Sequence, residues 1–136
     1  MALQLDVITP ERRLLSEQAD AVNVPALGGE LGILPGHTPL ISQLQTGVLA
    51  YVQSGTTRRL LVSGGFVEVN GDRVSVLADL AEFPEEVDAA RARQERDEAE
   101  RRLGGFSGPP EELAEVRAQL DRANARLQLS AGDAAR

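Results

Sequence analysis

The first 83 residues alternate apolar and polar positions with the period of two that is typical of β-strands. Leu3, Leu5 and Val7 fall on one face, and Gln4 and Asp6 fall on the other. Similar short runs recur up to position 83, and no internal repeat is visible. Several short strands separated by turns favour a β-sandwich or a barrel.

Two dipeptides predict tight hairpins within this region. Asn70-Gly71 separates two alternating apolar runs, and both residue types tolerate a positive φ, which makes this the stronger turn signal. Ser54-Gly55 separates Val48–Val52 from Leu60–Val62 and indicates a second hairpin.

After residue 83 the sequence shows residues that are typical of the starts and ends of helices. Pro84 followed by Glu85-Glu86 predicts a helix start, because proline suits the first turn and acidic residues favour the positive end of the helix dipole. Arg101-Arg102 followed by Gly104-Gly105 predicts its end.

A second helix is predicted from Pro109-Pro110 to the region of Ser130–Gly132. The connector, residues 104–108, is short, so the two helices should form an antiparallel hairpin. A heptad seam on the second helix comprises Leu113, Val116, Leu120, Ala123 and Leu127, and the first helix offers Ala89, Ala92, Ala99 and Leu103.

Small alanine side chains bury little apolar area, so this hairpin should be only weakly stable alone. Two interpretations remain open. The hairpin either exchanges between surfaces or forms a stable tail on the β-domain.

Composition supports a boundary at Phe83/Pro84. Of the 20 Val, Ile and Thr residues, 18 precede it, whereas 21 of the 35 charged residues follow it. We predict an α+β protein, with a β-sandwich or barrel over residues 1–83 and a C-terminal two-helix hairpin over residues 84–136.

Composition also excludes several functions. The chain has no Cys, and all 14 basic residues are Arg, which excludes thiol or lysine nucleophiles and a phosphate-loop lysine. A net charge of −7 argues against nucleic-acid binding. The longest apolar run, Val48–Val52, is too short to span a bilayer, and the N-terminus does not resemble a signal peptide, so we expect a soluble cytosolic protein.

No catalytic constellation and no metal site is predicted. The single histidine, His37, lies between two prolines, where a structural role is the more common one. The segment Gly28–Gly32 matches neither a dinucleotide fingerprint nor a phosphate loop and indicates an ordered loop with Glu30 at an acidic tip.

The base of the hairpin is the best candidate for binding chemistry. Arg122 and Arg126 are four residues apart on the second helix, and an antiparallel arrangement brings them towards Glu82, Asp88 and Arg91. Arginines bind phosphates in a bidentate manner, and a carboxylate can accept from a ribose hydroxyl or an adenine amine. A solvated salt-bridge network is the alternative.

Several motifs in one order resemble the epsilon subunit of bacterial F-type ATP synthases. They are Thr9–Arg12, Gly29–Ser42, Val62–Val69, Val74–Glu82 and Ala125–Leu129. The resemblance implies a non-catalytic subunit of the rotor stalk, on the cytoplasmic face of the bacterial membrane, that helps to couple proton translocation to rotation. It implies that residues 1–83 form a β-sandwich of about ten strands that binds gamma and the c ring. It also implies that the two-helix domain inhibits ATP hydrolysis when the helices extend into the alpha/beta head.

The resemblance also assigns roles to residues. Glu30 and His37 fall in the part that contacts the c ring. Contacts of the inhibitory helix would rest on Arg117, Arg122 and Arg126.

The stretch Val87–Ala92 is similar to the family's ATP-binding pattern, with Val87 where Ile or Leu is usual. The resemblance implies ATP, alone or with Mg²⁺, as a regulatory ligand. Its expected binding residues are Glu82, Asp88, Arg91, Arg122 and Arg126. The alternative to a rotor-stalk subunit, from a different functional class, is a free-standing ATP-sensing module.

Overall fold

The computed structural model describes residues 2–134, with side chains to residue 131. The chain separates into two compact units, Met1–Phe83 and Pro84–Arg136, and this division falls at the composition break.

The first unit is a β-sandwich, as predicted. In the described part of the chain ten strands form two five-stranded sheets, with the order β2-β1-β9-β8-β5 in the first and β10-β7-β6-β3-β4 in the second. Neighbours are antiparallel except β1 and β9, which are parallel. The strands are β1 (Leu3–Ile8), β2 (Arg13–Ala19), β3 (Ala21–Ala26), β4 (Gly29–Ile33), β5 (Leu40–Gln43), β6 (Gly47–Gln53), β7 (Thr56–Ser63), β8 (Phe66–Asn70), β9 (Arg73–Leu77) and β10 (Leu80–Glu82).

The two sheets enclose a core of aliphatic side chains, and the predicted alternation is confirmed. Leu3, Leu5 and Val7 are fully buried. Tyr51, the single tyrosine, is buried on β6, and its hydroxyl donates to Glu17 Oε2 on β2 of the other sheet at 3.2 Å. Burial raises the pKa of Tyr51 to about 12, and the neighbouring Glu17 acts in the same direction.

Both predicted hairpins are present, and one of their turns is shifted. Ser54 and Gly55 have positive φ between β6 and β7, as expected for a two-residue turn. Between β8 and β9 the turn residues are Gly71 and Asp72, because Asn70 still pairs with Arg73. The hairpin prediction was therefore confirmed, with the turn one residue later.

The turn between β7 and β8 requires glycine. Gly65 has a φ of +92°, and a Cβ there would collide with the carbonyl oxygen of Leu77. Gly28 has a similar φ of +96°, but no heavy atom lies within 4 Å of its hypothetical Cβ. Alanine substitutions at the two positions therefore distinguish the cost of backbone strain from the added cost of steric overlap.

We predict that Gly28→Ala costs about 1–2 kcal/mol of unfolding free energy, from φ strain alone. Gly65→Ala should cost about 1–3 kcal/mol more, because the strand end must also shift. Tyr51 fluorescence during urea unfolding measures both, since the chain has no tryptophan. Equal losses in the two variants would contradict the predicted collision.

Asp6 is a buried carboxylate on the outward-facing side of β1. Only 7 % of the residue is exposed, and its carboxylate lies 3.6 Å from Arg73 Nη1 and 3.4 Å from Gln4 Nε2. The Ser16 hydrogen bond, aided by Gln4, Arg73 and Arg13, outweighs burial and lowers the pKa of Asp6 below its usual 3.8. The ionised form therefore stabilises the folded state.

Because the folded-state pKa is the lower one, this stabilisation is present above pH 3.8 and is lost as the pH falls through the folded-state value. We predict that Asp6→Asn costs on the order of 1 kcal/mol at neutral pH and progressively less on acidification. Urea unfolding at a series of pH values measures this difference. Glu68→Gln, on the exposed side of β8, is the control, and a pH-independent cost of Asp6→Asn would refute the prediction.

The second unit contains a 3₁₀ turn, Pro84–Glu86, and two helices, α1 (Ala89–Gly104) and α2 (Pro110–Ala134). The prediction that the first helix starts at Pro84 was wrong. Asp88 is extended and its side chain accepts from the backbone N–H of Arg91, so Asp88 is the N-cap and the proline belongs to a separate turn. The second helix continues to Ala134, past its predicted end.

The helices form the predicted antiparallel hairpin. Arg126 pairs with Glu95, and Arg102 donates to Gln119 Oε1 at 3.1 Å, as two antiparallel helices require. Within the described residues, the buried side chains of the hairpin are Ala92, Ala99, Val116, Ala123, Ala125 and Leu129.

The predicted seam is only partly correct. Val116 and Ala123 are buried, whereas the other three seam residues are half-buried. Ala125 and Leu129 are buried away from this seam. The 3₁₀ turn also contacts α2, so this helix is covered by more than its partner helix.

Neither helix within residues 2–134 combines the length and the hydropathy that crossing a bilayer requires.

Candidate functional site

Two arginines from different helices share one carboxylate near the start of α1. Arg91 Nε lies 3.0 Å from Glu95 Oε1, and Arg126 Nη1 lies 3.3 Å from Glu95 Oε2. The side chains of Arg126 and Glu95 are 20 % and 27 % exposed, whereas that of Arg91 is 78 % exposed. Glu95 therefore joins the helices through a partly buried ion pair and holds Arg91 at the rim.

Asp88 and Arg91 lie together at the first turn of α1. The Asp88 carboxylate accepts from the backbone N–H of Arg91 at 3.2 Å, and its exposed side chain keeps further acceptor capacity. A group bound here would meet guanidinium donors and a carboxylate acceptor within one helical turn.

The other predicted site residues are more dispersed. Arg122 is half-buried one turn before Arg126 on α2 and takes no part in the Glu95 ion pairs, and Arg117 is exposed farther from this end. Glu82 ends β10 in the sandwich unit. The hairpin itself thus brings together Arg91 and Arg126, with Asp88 beside Arg91.

Glu95 was not among the residues predicted from the sequence. The spacing of Arg91 and Glu95 is the i, i+4 spacing of helical ion pairs, which could have suggested the contact within α1. Nothing local indicates the contact with Arg126, because it depends on the register between the helices.

Glu30 and His37 lie at opposite ends of β4. Glu30, near the start of the strand, is exposed and accepts from Asn23 Nδ2 at 2.9 Å. His37 follows the end of the strand; its backbone N–H donates to the Leu34 carbonyl, and its Nδ1 lies 2.7 Å from the carbonyl oxygen of Thr38.

Hydrogen bonds hold these two regions in different places. The Gly36 N–H donates to Asp72 Oδ1 at 2.7 Å, which fixes the His37 loop beside the β8–β9 turn. The Leu27 N–H donates to the carbonyl of Gln43 at 2.9 Å, at the far end of β5. The length of β5, about 10 Å, therefore separates the His37 loop from the turn that precedes β4. Glu30 itself lies on β4 and pairs with Pro25 of β3, so the predicted loop over Gly28–Gly32 was wrong from Gly29 onwards.

No group of three or more His, Asp or Glu side chains suited to a metal ion occurs among the residues that the structure describes.

Comparison with known families accounts for both units. Residues 2–84 match the β-sandwich domain of the ATP synthase delta/epsilon chain, and residues 85–131 match the long α-helix domain of the same chain. The chain belongs to the delta/epsilon family of ATP synthase subunits. The resemblance inferred from the sequence motifs is thereby confirmed, and members of this family are non-catalytic.

Curated relatives match along nearly their whole length. The chain is 44 % identical over 130 residues to the ATP synthase epsilon chain of Herpetosiphon aurantiacus, covering 96 % of this chain and 95 % of that one. It is 47 % identical over 127 residues to the epsilon chain of Solibacter usitatus, covering 92 % of each.

Solved structures share the fold at low identity. A chain in the mitochondrial ATP synthase of Euglena gracilis gives a TM-score of 0.81 at 22 % identity, covering 99 % of this chain and 82 % of that one. A chain in the Tetrahymena thermophila central stalk and c ring gives 0.69 at 12 % identity, covering 96 % and 97 %.

Proposed function

We propose that this protein is the epsilon subunit in the rotor of a bacterial F-type ATP synthase, held at the cytoplasmic face of the membrane through the complex. The observation that carries this proposal is the match of both units, in order, to one family with relatives at 44–47 % identity. In this role the sandwich binds gamma and the c ring and helps to couple proton translocation to rotation.

The sandwich offers surfaces for both partners. Phe66 and Leu77, each about half exposed, face one another across β8 and β9, and Ile41 on β5 is 70 % exposed. Apolar side chains grouped on one sheet face suit a protein partner, and we assign this face to gamma. The Glu30 edge is assigned to the c ring, together with Leu27, which is 64 % exposed.

His37 also remains a proposed c-ring contact. Because about 10 Å separates its loop from the turn that precedes Glu30, substitutions at the two residues test separate parts of the surface.

The hairpin is proposed to regulate ATP hydrolysis. Its buried residues include alanines at positions 92, 99 and 123, so the apolar area that holds it is small. Separation and extension along gamma into the alpha/beta head therefore cost less than they would for a hairpin with a leucine core. Arg117, Arg122 and Arg126 would then face acidic surfaces of the head.

We further propose that ATP, with or without Mg²⁺, is a regulatory ligand of the folded hairpin. The pairing of Arg91 with Arg126 across the helices, close to Asp88, supports a phosphate site. Arg122, on the same helix as Arg126, is proposed to complete it, whereas the role of Glu82, in the sandwich unit, stays a prediction from the sequence.

Deleting residues 84–136 should leave assembly and coupled ATP synthesis intact and should relieve inhibition of ATP hydrolysis. The reason is that the sandwich holds its own core and carries the proposed rotor contacts. Hydrolysis and proton pumping by synthase reconstituted with the full or shortened chain measure this. Loss of gamma binding by the shortened chain would contradict the division of roles.

Arg126→Ala should weaken ATP binding by about 1.5–3 kcal/mol, the value of a hydrogen bond to a charged group. Arg91→Ala should cost less, because its side chain is far more exposed. Calorimetric titration of the full chain with MgATP measures both effects, and Arg101→Ala, an exposed arginine near the other end of α1, is the matched control. No heat of ATP binding to the parent protein would remove ATP from the proposal.

A further inference from the structure

We propose that Glu95 is a built-in competitor of phosphate: its carboxylate occupies the arginine pair that an incoming polyphosphate must use. This inference rests on the proposed ATP site and names the residue that sets its affinity.

The contacts of Glu95 resemble those that a bridging phosphate would make. Each of its two oxygens accepts from a different guanidinium, at 3.0 Å from Arg91 and 3.3 Å from Arg126. Arginine binds carboxylate and phosphate oxygens with the same N–H donors. Glu95 uses one nitrogen of each guanidinium, so a phosphate that bridges the two arginines must displace this carboxylate or share the arginines with it.

A role of Glu95 in stabilising α1 alone does not explain this arrangement. Arg96 and Glu100 have the same i, i+4 spacing, at 3.9 Å, and are ion-paired within α1. Glu95 makes an i, i+4 pair with Arg91 and in addition reaches across to Arg126 on α2, the more buried of its two arginines. The contact therefore closes the hairpin with an anion that belongs to the chain.

Charge gives this contact a direct consequence for binding. With Glu95 in place, the two arginines and this carboxylate carry a net charge of +1 instead of +2. A polyphosphate entering the site meets a nearby negative charge and competes with it for both guanidinium groups. Removing the charge of Glu95 should therefore tighten anion binding, although it removes an ion pair from the folded hairpin.

The test titrates the full chain by calorimetry with inorganic tripolyphosphate and, separately, with MgATP. Glu95→Gln, which keeps the size of the side chain, should bind each probe about tenfold more tightly than the parent, as expected when a competing charge-assisted contact is lost. Glu98→Gln removes the same charge from an exposed position on α1 and should change binding less than about twofold. Adding Arg126→Ala to Glu95→Gln should abolish the gain.

Circular dichroism at 222 nm checks that the helices persist. If Glu95→Gln loses helical signal, the titrations are repeated with Glu95→Ala, because alanine favours the helix more. The same increase in affinity for each probe is expected. Unchanged or weaker tripolyphosphate binding by the folded variants would overturn the inference, as would an equal gain in Glu98→Gln. If Glu95→Gln binds tripolyphosphate more tightly, but neither the parent nor any variant binds MgATP more tightly than tripolyphosphate, the role of Glu95 as a competitor of phosphate is supported and ATP sensing is refuted.

Discussion

The apolar contact between the two sheets is the interaction on which the rest of the molecule depends. Fully buried aliphatic side chains such as Leu5, Leu49 and Leu60 fill the space between them. This core lies wholly within one unit, so the sandwich holds its surface loops in place without help from the helices. A second unit with a poorer apolar core can then change its contacts without unfolding the first.

Much of this fold is encoded in local pattern. Alternation placed Leu3, Leu5 and Val7 in the core, and both predicted hairpins are present, one of them with its turn one residue later than the dipeptide predicted. The shift to Gly71-Asp72 shows the limit of such reasoning, because cross-strand pairing of Asn70 decides which two residues make the turn. At the first helix, the Asp88 cap determined the start and Pro84 did not, since a side-chain acceptor satisfies an N–H that proline cannot.

The candidate site was harder to predict because it depends on register and topology. Arg91 and Arg126 could be placed at one end of the hairpin from helix lengths alone, but the intervening carboxylate of Glu95 could not. Glu30 and His37 are close in sequence and belong to one motif, and yet Glu30 lies near the start of β4 and His37 in the loop after its end, which a hydrogen bond fixes beside the β8–β9 turn. In both cases long-range contacts decided what the local pattern left open.

The proposed regulation is a competition for the same guanidinium groups. Arg126 contacts Glu95 in the folded hairpin, is proposed to bind ATP there, and is proposed to contact the catalytic head when α2 extends. A ligand shifts an equilibrium between two states only as far as its affinities for them differ. Since the ATP site needs Arg91 and Arg126 side by side, ATP would favour the folded state. Glu95 stabilises that same state without ATP, so it would lower both the inhibitory tendency of the hairpin and the ATP affinity through one contact.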